Sequence, residues 1–265
     1  MATVREIFTL LDEKAPFRYQ MDFDNAGFLV GRGDRAVQKV LVALDITPEV
    51  IAEAAEKGCQ LIVAHHPVIW DKLGQVTDES SAGEKVLSLI EHGIAAICAH
   101  TNLDAVEGGV NTELARRVGL LDPVPLEVDG VDENGVPYGV GRVGLLSGGP
   151  RKLADFAGEV REALGLDGIR VCDGGSPVEK VAVGGGACGS MLKEVRAMGC
   201  DTFLTSDLKH DIYLEARNLG INLLDGGHYS TEAVVCPVLA GWLREAFPGL
   251  VVEIADRQGE VFEYL

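Results

Sequence analysis

Short apolar runs alternate with amphipathic stretches along the first part of the chain. From Val4 to Leu11 the apolar positions recur with helical spacing and Pro16 ends the pattern, which predicts a helix over residues 3–14. The same kinds of pattern predict strands over 40–44, 61–64 and 94–98 and helices over 48–57 and 83–92. Because strands that alternate with helices form sheets with parallel strands and helical crossovers, the predicted fold class is α/β.

The second half of the chain repeats this arrangement. Lys39-Val40-Leu41-Val42 and Lys180-Val181-Ala182-Val183 precede a Gly-Cys pair by the same interval, and each half later carries a histidine four residues before a carboxylate. One interpretation is that any two strand–helix–strand units look alike. We favour an internal duplication over residues 39–104 and 180–232, which predicts two similar α/β halves related by a pseudo-twofold axis. Ligands gather beyond the carboxyl ends of strands in such sheets, so a site is expected in the cleft between the halves.

The length of the chain, 265 residues, exceeds that of a usual single domain, so two domains are expected. The predicted first domain covers residues 1–125 plus 233–265, and the predicted second domain covers 126–232. Residues 122–150 are rich in Gly, Pro and Asp and contain a hairpin-like Glu133-Asn134-Gly135. This stretch is the predicted connection to the second half and an edge of it.

Acidic residues outnumber basic ones by 41 to 23, and the net charge is −18. Such a surface repels nucleic acid and anionic membranes, so the expected partner is a small-molecule substrate. The six cysteines are scattered without a C-x-x-C pair, which is typical of reduced core residues. With no apolar segment suited to a signal peptide or a membrane span, the expected location is the cytoplasm.

Two adjacent histidines, His65 and His66, end an apolar run and are followed by Pro67. Two imidazoles at one buried strand end need polar partners, and a metal ion supplies them. Two further segments place a carboxylate four residues after a histidine, and these are His100 with Asp104 and His228 with Glu232. Imidazole and carboxylate donors without a thiolate nearby are typical of divalent metals in hydrolytic sites.

The donors suffice for two metal ions. Neighbouring strand residues point to opposite faces, so His65 and His66 are better placed to serve two ions than to chelate one. A carboxylate can bridge two metals about 3.5–4 Å apart. The predicted ligands are His65, His66, Asp104, His228 and Glu232. His100 is either a further ligand or, as we favour, a residue that orients the carboxylate of Asp104.

The repeat places Asp207, Lys209 and His210 opposite the histidine pair. We predict that Asp207 and His210 contact the substrate or transfer protons, the alternative being an ordinary surface loop. Asp24-Asn25 lies in a turn-rich segment that is either a plain loop or a wall of the pocket. The run Gly184-Gly185-Gly186 lacks the lysine of a phosphate-binding loop, so we interpret it as a tight strand-to-helix turn.

Four segments together resemble the Nif-three-like dinuclear metal centre proteins, a family also labelled GTP cyclohydrolase I type 2 homologues. The segments are Asp22–Gly31, Leu61–Pro67, Ala99–Ala105 and Gly226–Glu232. Their motifs His-His-Pro, His-Thr-Asn-Leu-Asp and Gly-His-x-x-[ST]-Glu, in this order, are specific in combination, and the likeness runs nearly the whole length of the chain. Phe23 stands where tryptophan is common and Ala64 where serine is common, and neither is a predicted ligand.

The resemblance implies two divalent metal ions per subunit at the five ligand positions, and nitrogen and oxygen donors suit zinc, iron, manganese and cobalt alike. It also implies a toroidal homohexamer, and the short form of the family without an inserted middle domain. The implied activity is that of a GTP cyclohydrolase, in which water opens the imidazole ring of guanine and formate is released. Asp207 or His210 would then shuttle protons.

Two other functions fit the same residues. The first is that of another metal-dependent hydrolase, such as a phosphoesterase. The second is that of a non-catalytic hexameric protein that binds metals or partners. Formate release from GTP favours the cyclohydrolase, and turnover of ester substrates alone favours the other hydrolase. Loss of the hexamer or of thermal stability on metal removal, without any turnover, favours the non-catalytic protein.

Overall fold

The computed structural model describes residues 2–265 of the chain. Its α-helices are α1 Val4–Lys14, α2 Pro48–Glu56, α3 Ser81–Glu91, α4 Thr101–Ala105, α5 Val110–Arg117, α6 Leu153–Ala163, α7 Leu192–Ala197, α8 His210–Leu219, α9 His228–Glu232 and α10 Cys236–Ala246. Its strands are β1 Ala2–Thr3, β2 Gly27–Val30, β3 Ala36–Val37, β4 Lys39–Ala43, β5 Leu61–Ala64, β6 Ala95–Cys98, β7 Leu120–Pro125, β8 Gly130–Val131, β9 Pro137–Tyr138, β10 Arg142–Leu146, β11 Arg170–Cys172, β12 Lys180–Val183, β13 Thr202–Thr205, β14 Asn222–Asp225 and β15 Val251–Ile254. The predicted helices and strands of the first half are present, with bounds shifted by at most two residues.

The chain divides into two compact units. The first unit contains the residues up to Leu103 together with Val235–Gly259, and the second contains Asp104–Val234 together with Glu260–Leu265. The first boundary therefore lies earlier than the predicted one at 125/126. The reason is that α5 packs against β7 and β10, so both α5 and β7 belong to the second unit.

The sheet of the first unit has the strand order β15-β4-β5-β6-β2. Strands β15, β4, β5 and β6 run parallel, and β2 is antiparallel to β6. Ala43 pairs with Ala64, and Ala64 pairs with Cys98, so β4, β5 and β6 end at the same edge. The residues that follow these strands are therefore brought together by the register of the sheet.

Both faces of this sheet are covered, which explains why its strands are continuous apolar runs. Alternate strand residues such as Leu41 and Ile62 pack with Val50 of α2 and Leu89 of α3 in one buried cluster. Helix α10 packs against β15 and β4. Helix α2 begins at a sequence signal for a helix start, because Thr47 caps it and Pro48 occupies its first turn.

The sheet of the second unit has the strand order β11-β14-β13-β12-β10-β7. Strands β12, β13 and β14 run parallel, whereas β10 and β11 are antiparallel to their neighbours. In each unit, three parallel strands that follow one another along the chain are joined by helices: β4, β5 and β6 in the first and β12, β13 and β14 in the second. The predicted pseudo-twofold axis between the halves stays a prediction. Strand β7 forms an edge of the sheet, and the hairpin signal at 133–135 lies in the turn between β8 and β9.

Arg142 is fully buried in the second unit, although it begins strand β10. Its guanidinium donates hydrogen bonds to carbonyl oxygens of two loops and to a hydroxyl, with distances of 2.7–3.2 Å. The acceptors are Gly139 O, Gly141 O, Ala105 O, Val106 O and Thr112 Oγ1. The carbonyl oxygens of Ala105 and Val106 close the end of α4, so Arg142 anchors the helix that carries Asp104.

Glu53 is a buried carboxylate of α2, with 2% of its surface exposed, and it binds the segment after β15. It accepts hydrogen bonds from the backbone N–H groups of Asp256 at 2.9 Å and Arg257 at 2.8 Å, and from Nζ of Lys57 at 2.6 Å. Burial by itself raises the pKa of Glu53, but these hydrogen bonds and the charge of Lys57 outweigh it and lower the pKa. The ionised carboxylate therefore stabilises the first unit.

Replacing Glu53 by glutamine is expected to lower the free energy of unfolding at pH 7 by about 1–3 kcal/mol, because charge-assisted hydrogen bonds to buried donors are weakened. The contribution of Glu53 is present above the usual carboxyl pKa of 4.5 and is lost as the pH falls through the lowered pKa. Urea unfolding of the wild-type protein and of Glu53→Gln between about pH 3 and pH 7 checks this pH dependence. Glu56→Gln, at an exposed position, is the control. A difference in unfolding free energy between wild type and Glu53→Gln that grows toward low pH contradicts the expectation.

No helix within residues 2–265 combines the length and the apolar character needed to cross a bilayer. The six cysteines are free thiols; Cys172 and Cys188 are half-buried and the others are buried.

Candidate metal centre

Three histidines meet at the carboxyl edge of the first unit's sheet. His65 and His66 directly follow β5, and His100 follows β6 after Ala99. One ring nitrogen of each histidine lies within 4.8 Å of a ring nitrogen of the other two. The ring centroids are 4.9–5.5 Å apart. Three nitrogen donors this close could hold a divalent metal ion after small side-chain adjustments, as in three-histidine zinc sites.

The Nδ1 atom of each imidazole is held by an oxygen atom. The contacts are His65 Nδ1 to Ala99 O at 2.8 Å, His66 Nδ1 to Asp45 Oδ1 at 2.7 Å and His100 Nδ1 to Asp24 Oδ1 at 2.9 Å. A carbonyl oxygen can only accept, so Nδ1 of His65 carries the hydrogen and its Nε2 carries the lone pair in the neutral ring. Carboxylate and carbonyl partners of this kind fix the tautomer and the orientation of metal-binding histidines.

Asp24 is the more deeply buried of the two carboxylates that hold these rings, with its side chain fully shielded from solvent. Burial by itself raises the pKa of Asp24, but hydrogen bonds from His100 and Thr101 outweigh it and lower the pKa to about 2. The carboxylate is therefore ionised at neutral pH and accepts from His100 and from the start of α4 at the same time. Asp24 therefore positions a histidine of the cluster.

A second donor group lies in the second unit, on α9. His228 and Glu232 are one helical turn apart, and Nε2 of His228 is 3.0 Å from Oε2 of Glu232. With metal–ligand distances of about 2.0–2.2 Å, two ligands of one ion lie about 3 Å apart, so this spacing fits a shared ion. Nδ1 of His228 is held by Oδ2 of Asp207 at 2.7 Å.

Asp207 adopts a left-handed backbone conformation, with φ of 53°, in the turn after β13. Aspartate and asparagine tolerate this region better than other side chains with a Cβ. The turn points the carboxylate at His228. Asp207 is therefore an orienting residue for a candidate ligand, whereas His210 is exposed at the start of α8.

The glycine run after β12 is a strand-to-helix turn, and it also shapes the donor group. Gly186 has a φ of +65°, and a Cβ atom there would lie 2.1 Å from Oε1 of Glu232 and 3.1 Å from Nε2 of His228. Only glycine leaves this space beside the two donors. The turn thus forms a cradle in which the carboxylate and the imidazole can hold an ion.

Asp104 is buried on α4, with 9% of its surface exposed. Its backbone carbonyl accepts a hydrogen bond from Nδ2 of Asn111 at 3.0 Å, and Oδ1 of Asn111 accepts from the N–H of Gly185 at 2.9 Å. The fully buried Asn111 therefore connects the helix of Asp104 with the glycine turn beside Glu232.

The structure thus forms one imidazole cluster in the first unit and one imidazole–carboxylate pair in the second, and both donor sets fit divalent metal ions. Histidine nitrogens and carboxylate oxygens, oriented by further carboxylates, form such sites. The sequence did not point to Asp45 or to the orienting role of Asp24. A signal for Asp45 exists, because it lies two residues after β4, whose carboxyl end shares an edge with that of β5.

Two exposed aromatic rings border the histidine cluster. Trp70 stands edge-on to His100 at a centroid distance of 5.3 Å, and Phe23 lies 6.4 Å from Trp70. Phe23 is 64% exposed and Trp70 is 49% exposed. Large exposed rings beside polar donors are a surface on which a planar ligand can stack.

Replacing Asp207 by alanine is expected to weaken the affinity of the second unit for a divalent metal about 10–100-fold, the usual effect of losing the partner of a metal-binding histidine. Asp207→Asn is the matched control, because asparagine keeps both the left-handed backbone preference and an oxygen acceptor for His228. Calorimetric titration of the metal-free proteins with zinc measures the affinity of both variants. Equal affinities of the alanine and wild-type proteins would show that Asp207 does not orient His228.

Comparison with known proteins shows one family and relatives over nearly the whole chain. A family model described as Duf34/NIF3 (NGG1p interacting factor 3) matches residues 2–258. Two proteins named GTP cyclohydrolase 1 type 2 homolog are similar to this chain: one from Streptomyces coelicolor is 36% identical, covering 98% of this chain and 89% of its own length. The other, from Clostridium perfringens, is 30% identical and covers 99% of both chains. The crystal structure of a Bacillus cereus protein related to NIF3 matches 100% of this chain and 99% of its own with a TM-score of 0.93 at 22% identity, which shows a shared fold.

Proposed function

This chain belongs to the Duf34/NIF3 family, and from this membership and the geometry of its donor atoms we propose that it is a dinuclear metal-dependent hydrolase. The proposed reaction is that of a GTP cyclohydrolase, in which water opens the imidazole ring of guanine and formate leaves. GTP is the proposed substrate because the relatives from Streptomyces coelicolor and Clostridium perfringens are named GTP cyclohydrolase 1 type 2 homolog.

The histidine cluster is the observation that carries the proposal. Ring nitrogens of His65, His66 and His100 lie within 4.8 Å of one another. An oxygen atom holds the second nitrogen of each ring, which orients the ring in the way that metal-binding histidines require.

The proposed ligands of two divalent ions are His65, His66, Asp104, His228 and Glu232, with His100 of the histidine cluster as a further nitrogen donor. When bound, divalent cations supply Lewis acidity and lower the pKa of water toward about 7. Asp45 and Asp207 hold the rings of His66 and His228 in their binding orientation. We assign proton transfer to Asp207 or His210, which both follow β13 at the carboxyl edge of the parallel strands.

The aromatic rings of Phe23 and Trp70 support a substrate with a planar heterocycle. A purine base can stack on an indole or phenyl face, which contributes about 1–3 kcal/mol of binding per stacked base in other proteins. Trp70→Ala is therefore expected to have a higher KM for GTP, with kcat changed less.

Metal analysis combined with a formate assay tests the proposal. Protein purified without added metal is expected to contain about two ions of zinc, iron, manganese or cobalt per chain, and to release formate from GTP only when metal is present. A metal content near zero contradicts the metal centre. Intact GTP together with cleavage of phosphate esters contradicts the cyclohydrolase reaction and supports a different hydrolase.

The homohexamer implied by the family resemblance is part of the proposal. Light scattering after size exclusion is expected to give six times the chain mass of 28.2 kDa. Comparison of metal-loaded and metal-free protein distinguishes an enzyme from a protein in which the ions serve assembly. In the second case the hexamer dissociates when metal is removed, and the metal-loaded protein shows no turnover.

A further inference from the structure

A cavity of about 390 Å³ lies in the first unit, away from the histidines. It is lined by the loop after β2, the end of α3 and the start of β6. The lining residues are Gly31, Arg32, Arg35, Ile90, Gly93, Ile94 and Ala95. Volumes in this range suit small-molecule ligands.

The cavity and the histidine cluster lie at opposite edges of one sheet. Ala95 begins β6, whereas His100 follows its carboxyl end. At about 3.3 Å per residue, the length of β6 separates the two by roughly 10 Å or more. A ligand in the cavity is therefore a different molecule from one that touches the histidines.

The positive charge of the cavity is not neutralised by the protein. Within residues 2–265, the guanidinium groups of Arg32 and Arg35 have neither an ion pair nor a hydrogen bond. Other arginines of this acidic chain, such as Arg116 and Arg257, pair with a carboxylate. Two unpaired guanidinium groups that line one cavity form a local positive field on a molecule with a net charge of −18.

Arg32 and Arg35 have exposed side chains, and the backbone of the loop that carries them is held in place. The N–H groups of Val4 and Arg5 bind the carbonyl oxygens of Arg35 and Gly33 at 3.0 and 2.9 Å, which fixes the loop to α1. A Cβ on Gly93, whose φ is +64°, would lie 2.7 Å from Nη1 of Arg35, so the guanidinium rests on glycine backbone. Such contact limits the motion of Arg35 and reduces the entropy that it loses on binding.

The remaining walls are apolar. Ile90 is 58% exposed and Ile94 is buried beneath the cavity. A guanidinium matches the oxygens of a phosphate in a two-pronged hydrogen-bonded pair, and the isoleucines can cover the organic part of a ligand. The net charge of the chain opposes large anions such as nucleic acids or membranes and leaves small ones.

We propose that this cavity is a binding site for a small phosphate monoester, independent of the metal centre, with Arg32 and Arg35 holding the phosphate and Ile90 and Ile94 contacting the organic group. A ligand there does not contact the histidines, because it sits across the sheet from them. A nucleoside monophosphate has a phosphate for the arginine side of the cavity and a nucleoside of suitable size for the isoleucine side.

Isothermal titration calorimetry with adenosine 5′-monophosphate tests the site, with inorganic phosphate and adenosine as partial ligands. The full-length wild-type protein is expected to bind the nucleotide more tightly than either part. Arg32→Glu/Arg35→Glu is expected to weaken binding at least tenfold. Arg161→Glu/Arg217→Glu, which makes the same charge change at two exposed arginines of the second unit, is expected to leave it unchanged.

Two further measurements keep this test separate from the proposed function. Metal-free protein is expected to bind the nucleotide as well as metal-loaded protein, and circular dichroism is expected to show that the double variant is folded. The proposal is overturned if wild type does not bind, if both double variants lose binding equally, or if removal of metal abolishes binding. It is also overturned if Arg32→Glu/Arg35→Glu changes only the oligomeric state, since the arginines then serve a contact between copies.

Discussion

Replacing His66 by alanine is expected to remove bound metal and with it all turnover, while the protein stays folded. Loss of an outer partner of a metal ligand costs about 10–100-fold in affinity, and loss of the ligand itself costs more than that. The side chain of His66 is partly exposed, at 21%, so its removal leaves no large cavity in the core. The expected change is therefore in metal content and catalysis and not in the fold.

Elemental analysis and formate release measure this expectation, with thermal unfolding as the check on folding. His92→Ala is the matched control, because His92 is an exposed histidine at the end of α3 whose Nδ1 contacts Ser88 O at 2.8 Å. It is expected to keep wild-type metal content and turnover. Full metal occupancy in His66→Ala would remove this residue from the proposed ligands.

Replacing Arg142 by methionine is expected to lower the free energy of unfolding by about 3–5 kcal/mol, because several buried carbonyl oxygens lose a donor and each such loss costs about 1–3 kcal/mol. Methionine fills much of the space but donates no hydrogen bond, so the carbonyl oxygens of Ala105, Val106, Gly139 and Gly141 lose a buried donor. Ala105 ends the helix of Asp104, so the metal affinity of folded protein is expected to fall as well.

Urea unfolding, together with zinc titration of the folded protein, measures both effects of Arg142→Met. Arg116→Met is the control, because Arg116 is 70% exposed and pairs with Glu113 on the same helix. Its effect is expected to stay within about 1 kcal/mol. Equal stabilities of the two variants would mean that the hydrogen bonds of Arg142 are replaced by water after the substitution.

The local sequence pattern predicted that His65 and His66 lie at the end of a buried strand. His65 and His66 follow a buried apolar run, and the α/β alternation implies that such strand ends share an edge. The role of Asp45 was not predictable in the same way. It depends on β4 lying next to β5 in the sheet, and the sequence by itself does not state that order.

The unit boundary and the buried arginine show a second limit of sequence patterns. Arg142 stands in a strand, where an arginine usually faces solvent. Its burial depends on carbonyl groups from two loops distant in sequence, which only the folded chain brings together. Helix α5 likewise joins the second unit through packing against β7 and β10, and its own amphipathic pattern does not say which sheet it covers.

Asn111 links two segments of the second unit that each carry a candidate carboxylate ligand. One side-chain amide bonds both the carbonyl of Asp104 and the N–H of Gly185, the neighbour of the glycine that cradles Glu232. The two carboxylate-bearing segments are therefore linked through one buried side chain. Cation binding at either carboxylate is expected to slow hydrogen–deuterium exchange at the Gly185 amide, because the hydrogen bond of this amide to Asn111 joins the two segments.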